Sequence, residues 1–159
     1  MQTIRITRRI PAPIDIVFDE YTDHERLADL PMVISSKVTT PGRTEKNGIG
    51  AIRRLNAGPI QLREEITAFE RPHLMEYRIT WSFPRTRHDF GCVEFAEVPG
   101  GGTQVTWTTV FTVDALGGRV DALFKAVFTA TFKTVLHQVS KRSVARAGKN
   151  APASTSTEH

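Results

Sequence analysis

Among the side chains able to do chemistry, His88-Asp89 is the first candidate, a histidine beside a carboxylate. Neighbours along an extended chain point to opposite faces, so this pair does not form an acid–base dyad on one surface. The five histidines, His24, His73, His88, His137 and His159, are scattered, and none has ligand spacing with Cys92 or a carboxylate. No metal is expected. There is no Gly-x-Ser-x-Gly and no glycine loop placed to cradle a phosphate, because Gly100-Gly101-Gly102 reads as a hairpin turn between strands. The single cysteine, Cys92, lies in an extended stretch and reads as a small buried hydrophobe rather than a nucleophile. No cofactor is expected.

What remains is aromatic and apolar. Tyr77, Ile79, Trp81 and Phe83 alternate along one stretch and so share one face of a strand. Four large side chains are more than a solvent face carries, and the face is expected to point inward. Tyr77 and Trp81 would each add a polar handle to it. Phe124, Phe128 and Phe132 lie four apart, on one stripe of a helix. They either fill a core or form the floor of a cavity.

The elements that position these residues follow from periodicity. Gln2 to Ile10 alternates as a strand, and Pro11-Ala12-Pro13 stops it. Ile14, Val17, Phe18 and Tyr21 recur at helical spacing, and a second short helix runs from His24 to Leu30. Strands follow at Met32–Thr40, Ile49–Asn56, Ile60–Phe69, Leu74–Phe83, His88–Val98 and Thr103–Val113, with turn signals between them. From about Leu116 to Ala147 apolar residues recur every three or four, which predicts one long helix. The order is one strand, two short helices, six strands and a long helix. A sheet curled around that helix is the architecture expected: α+β, one domain over residues 1–147, with a disordered Ala/Ser/Thr-rich tail over 148–159.

At 159 residues, 40% apolar and 24% charged, the chain is expected to bury its own core and is unlike a disordered protein. No uncharged apolar run is long enough to span a membrane, and no disulfide can form within the chain. The cytoplasm is the expected compartment. Of the net charge of +4, the stretch from Arg119 to Lys149 holds more than the whole. Lys141, Arg142, Arg146 and Lys149 complement the negative end of a helix or form a docking patch. No aromatic residues interleave with them, and no nucleic acid is expected there.

The residues at the joints of this order carry a resemblance. They are Ile10-Pro11-Ala12-Pro13 followed by Val17-Phe18, Gly48-Ile49-Gly50-Ala51-Ile52-Arg53, and Glu65-Ile66-Thr67 with Glu70-Arg71-Pro72. Tyr77-Arg78-Ile79 and Gly102-Thr103-Gln104-Val105-Thr106-Trp107 complete the set. From about Ile4 to Val144 the chain resembles the START-like (SRPBCC) superfamily with its helix-grip fold. Within it, the polyketide cyclase/dehydrase branch, which includes relatives of the abscisic-acid receptors, is the most similar. The resemblance implies a seven-stranded antiparallel sheet wrapped on the C-terminal helix, with a cavity between them for a hydrophobic or amphipathic small molecule such as a lipid, polyketide or aromatic compound. It implies that Glu65 points into the pocket and that Arg53 pairs with it. The alternative is a surface pair on a sheet with many charges. A buried Glu65 could act as acid or base in a cyclase- or dehydrase-like reaction. Phe90 falls where the receptor-like pattern carries a ligand-contacting tyrosine, and whether Phe90 or Gly91 faces inward is left open by the sequence. The ligand-contacting set expected is thus Arg53, Glu65, Tyr77, Ile79, Trp81, Phe90, Phe124, Phe128 and Phe132. Three functions stay open: a binder, an enzyme using Glu65, and a regulatory protein whose Ala57-Gly58-Pro59 loop gates the ligand. A homodimer is also left open.

Overall fold

The computed structural model describes residues 1–113 and 119–151. The chain runs β1 (Gln2–Ile10), α1 (Ile14–Thr22), a 3₁₀ helix (His24–Asp29), β2 (Ser35–Thr40), β3 (Ile52–Ala57), β4 (Ile60–Glu70), β5 (Leu74–Phe83), β6 (Thr86–Glu97), β7 (Thr103–Val113) and α2 (Asp121–Asn150). This is the expected order with the edges of several elements shifted: β3 begins at Ile52 rather than Ile49, β6 at Thr86 rather than His88, and the second short helix is a 3₁₀ helix ending at Asp29. Met32 to Ile34 turn before β2 begins, and α2 continues past Gly148 to Asn150. The expected helix start at Leu116 and most of the expected tail, 152–159, lie outside the described residues.

The seven strands form one antiparallel sheet in the order β1-β7-β6-β5-β4-β3-β2. From β2 to β7 each strand pairs with its successor, and β1 lies beside β7 as one edge of the sheet, with β2 as the other. Four single-residue bulges bend it, at Thr39, Thr67, Thr80 and Asp89. A bulge adds a residue to one strand, increases local twist and reverses the in–out alternation beyond it.

The concave face holds the core. Phe18 of α1 packs edge-on against Phe69 and Phe95, and Ile66, Met75, Val93, Val105, Leu136 and Val139 are buried around it. A smaller cluster of Ile4, Phe111 and Val113 receives Phe124 and Phe128 from α2. The two halves of α2 differ. Val135, Leu136, Val139 and Ser143 are buried, whereas Leu123 and Val127 in the first half are exposed. Asp121 holds the helix start to the sheet by accepting the Val113 N–H at 3.2 Å. At the other end, Arg142 and Arg146 approach the buried carboxylate of Glu20 on α1, at 3.3 and 3.6 Å. Those two members of the late basic cluster therefore tie α2 to α1. No helix of the described residues is long and apolar enough to cross a membrane.

Candidate ligand-binding site

Between the first half of α2, the 3₁₀ helix and the concave face of β3 to β7 lies a cavity of about 100 Å³. Its walls are mostly apolar, including Leu30, Val33, Ile79, Trp107, Phe128 and Phe132. The polar lining is Tyr21, His24, Arg53, Glu64, Tyr77, Thr86, Thr109 and Thr131.

Tyr77 stands at the centre of the polar side. Its ring lies over Gly91, directly across the β5–β6 pair, where any Cβ would overlap the ring. Its hydroxyl accepts the indole N–H of Trp107 at 2.9 Å, and Phe132 stacks on that indole with centroids 3.8 Å apart. Burial pushes the Tyr77 hydroxyl well above the ordinary phenol range. The guanidinium of Arg53 sits 5.5 Å from the ring centroid, within cation–π reach.

Arg53 is almost wholly buried and donates from Nε to Glu64 Oε2 at 2.5 Å, its direct cross-strand partner. A charge so far from water needs such a partner. The expected pairing with Glu65 is corrected by one residue. Glu64 shares its face with Leu62 and Ile66, and Glu65 lies on the outer face, bonded to Arg78 at 3.3 Å. An acid–base role for Glu65 has no cavity to act in.

The bulges correct two more placements. Tyr77 and Ile79 line the cavity as expected, but the extra residue Thr80 turns Trp81 and Phe83 outward, 48% and 58% exposed. On β6, the extra residue Asp89 puts His88 and Gly91 inward and Phe90 outward, which settles the register at that point. Phe128 and Phe132 line the cavity, while Phe124 packs in the cluster with Phe111 below it.

His88 and His24 are buried in opposite circumstances. His88 Nδ1 accepts the Ile79 N–H at 3.2 Å, so its proton resides on Nε2, which donates to Thr109 Oγ1 at 2.9 Å. It also stacks on Tyr77 at 5.3 Å, and burial lowers its pKa. Asp89 faces away and pairs with Arg87. His24 borders the cavity, yet neither ring nitrogen has a hydrogen-bond partner among the described residues. Burial, and then the nearby Arg53 charge, hold its pKa well below the usual imidazole range. Sequence reasoning passes over His24 as one of a scattered set. It also misses Glu64, although Leu62 and Ile66 two residues to either side mark its face. The Ala57-Gly58-Pro59 segment is a tight two-residue turn between paired Ala57 and Ile60, with Gly58 at φ 70° and its N–H bonded to Asn56 Oδ1. Among the described residues, no three His, Cys, Asp or Glu side chains gather as metal ligands would.

A family model described as polyketide cyclase / dehydrase and lipid transport matches residues 1–144. No curated protein matches the chain in sequence. Solved structures share the fold. A protein from Thermus thermophilus superposes with a TM-score of 0.73 at 22% identity, over 92% of this chain and 99% of that one. Ara h 8.0201 gives 0.70 at 13% identity, covering 91% and 98%. The Zhui aromatase/cyclase from Streptomyces sp. R1128 gives 0.69 at 16%, covering 97% and 98%.

Proposed function

Because the chain belongs to the polyketide cyclase / dehydrase and lipid transport family, we propose that it binds a hydrophobic or amphipathic small molecule in the cavity between the sheet and α2. One observation carries the reading: an apolar chamber on which a few buried polar groups, Arg53, Tyr77 and His24, converge from three separate elements. Small-molecule sites combine those two features, apolar walls for affinity and a few polar groups for orientation. The apolar part of the ligand lies against Phe128, Phe132 and Ile79, and its polar end meets the Arg53–Tyr77 side.

The test is titration with 1-anilinonaphthalene-8-sulfonate, together with native mass spectrometry of the gently purified protein. Thr131 borders the cavity from α2, and Thr131→Trp would fill the chamber. The wild type is expected to bind one equivalent of the dye or a co-purified ligand. The folded Thr131→Trp variant should bind at least tenfold more weakly. Equal binding by both would place the ligand elsewhere and end this reading. Glu64→Gln separates binding from turnover, since Glu64 is the carboxylate at the cavity wall.

A further inference from the structure

On the outer face of the sheet, the strand register aligns Lys37, Arg54, Arg63 and Trp81 in one row, one residue from each of β2, β3, β4 and β5. All four are exposed. Strands lie about 4.8 Å apart, so three like charges stand side by side over roughly 10 Å. Such neighbours repel and cost stability. The nearby carboxylates are engaged elsewhere: Glu65 with Arg78, Glu64 inward with Arg53, and Glu25 with Lys46. Among the described residues none of the three cations forms an ion pair of its own, although Lys37 feels the charge of Glu25.

The surroundings of the row are graded. One step of two residues toward the β3–β4 turn brings Asn56, Gln61 and exposed Phe83. Beyond them, the Gly58-Pro59 turn adjoins Ile34, which is 70% exposed, and Met32 close by in sequence is 62% exposed. One step the other way lie Thr40, Ile52 and Glu65, the last paired with Arg78. From the tip inward the order is apolar, then uncharged polar residues with Phe83, then tryptophan with cations, then mixed charge, at about 6.7 Å per step. A lipid leaflet has the same order, from acyl chains through the glycerol region to anionic headgroups, with tryptophan favoured at the boundary.

We propose that this end of the sheet docks on an anionic lipid bilayer, the apolar tip entering the leaflet and the Lys37–Arg54–Arg63 row meeting headgroup phosphates. Charge complementarity selects the bilayer. A single nucleic-acid strand would use stacking aromatics along the cationic row, and here one aromatic stands at its end. The placement also extends the cavity reading, although it rests on the outer surface alone. Val33 lines the cavity between Met32 and Ile34, and Leu55 and Leu62 border both the cavity and the groove beside the row. Docking would bring that side of the cavity to the membrane.

The experiment is flotation of the full chain, without added ligand, with phosphatidylcholine vesicles and with vesicles containing one-third phosphatidylglycerol. Binding to the anionic vesicles only, weakened by salt, is expected. Each headgroup-level cation contributes about a factor of five, so Arg54→Gln/Arg63→Gln should bind roughly 30-fold more weakly. That change relieves repulsion, and its melting temperature should not fall. Lys141→Gln/Lys149→Gln removes the same charge from the exposed end of α2 and should bind like the wild type. Equal losses in the two double variants would mean a net-charge effect and overturn the proposal. So would failure to float, or displacement from vesicles by an oligothymidylate that itself requires Arg54 and Arg63. Dye binding in the cavity is read separately, so either reading can fail without the other.

Discussion

Arg53 and Glu64 are the two opposite charges held at the cavity wall, and their neighbours Arg54 and Glu65 face solvent. The side chains of the inner pair are only 8% and 13% exposed. Glu64→Ala leaves a buried guanidinium unpaired and should cost about 3–5 kcal/mol in urea denaturation. Glu65→Ala removes a surface contact and should cost no more than about 1 kcal/mol. The reverse order of effects would restore Glu65 to the interior. The two histidines make a pH prediction. Both lose their proton at lower pH in the folded chain than in the unfolded one, where the ordinary value is 6.5. Below 6.5 the unfolded chain therefore binds more protons, and stability falls as pH drops. Melting temperature should be flat above about pH 7 and decline toward pH 5. His24→Met should flatten that decline and stabilise the fold at neutral pH by about 1 kcal/mol or more, since it removes two unpartnered nitrogens. At this scale the sequence is legible by type and misleading by one position. Arg53 and Tyr77 are recognisable, while the choice between Glu64 and Glu65 needs the flanking apolar residues to be weighed against the resemblance.

Whole elements are legible in the sequence, and their interruptions are not. Alternation along Leu74–Phe83 holds as far as Ile79 and then reverses at Thr80. Nothing in the local composition marks that residue, because a bulge is set by how β5 fits the register of β4. The same holds for Asp89, which decides between Phe90 and Gly91. The consequence is measurable by fluorescence, as Trp81 and Trp107 are the two tryptophans. Trp107→Phe should leave a red-shifted emission readily quenched by acrylamide, and Trp81→Phe a blue-shifted one that resists quenching. A blue-shifted Trp107→Phe variant would contradict the bulge. Gly91→Ala tests the close approach of β6 to the Tyr77 ring, and should destabilise by about 1–3 kcal/mol through overpacking.

At the scale of the molecule, periodicity and turn residues are enough for the element order and for a sheet curled on one long helix, and the resemblance adds the helix-grip fold. The cavity is not legible in periodicity and enters the reading only through the resemblance. It depends on how far α2 stands from the sheet, which the stacking of Phe132 on Trp107 sets and no spacing along the chain encodes. The thiol of Cys92 shows the same dependence on packing, with burial pushing its pKa up to about 11. A disulfide reagent at pH 8 should therefore label it only slowly in the folded protein and at once in urea; prompt native labelling would contradict its burial.

The pairing of β1 with β7 has a consequence for the order in which the protein can be made. Gln2 meets Phe111 and Ile10 meets Thr103, so the first strand to be synthesised has no neighbour until the last one has been. At translation rates of about 5–20 residues per second, it waits on the order of 5–20 seconds. Arg5, Arg8 and Arg9 give this nine-residue strand a charge that discourages pairing with a neighbouring chain during that interval. The ribosome thus releases this strand of the sheet long before the strand it pairs with exists, and the three arginines disfavour stray pairing in the meantime.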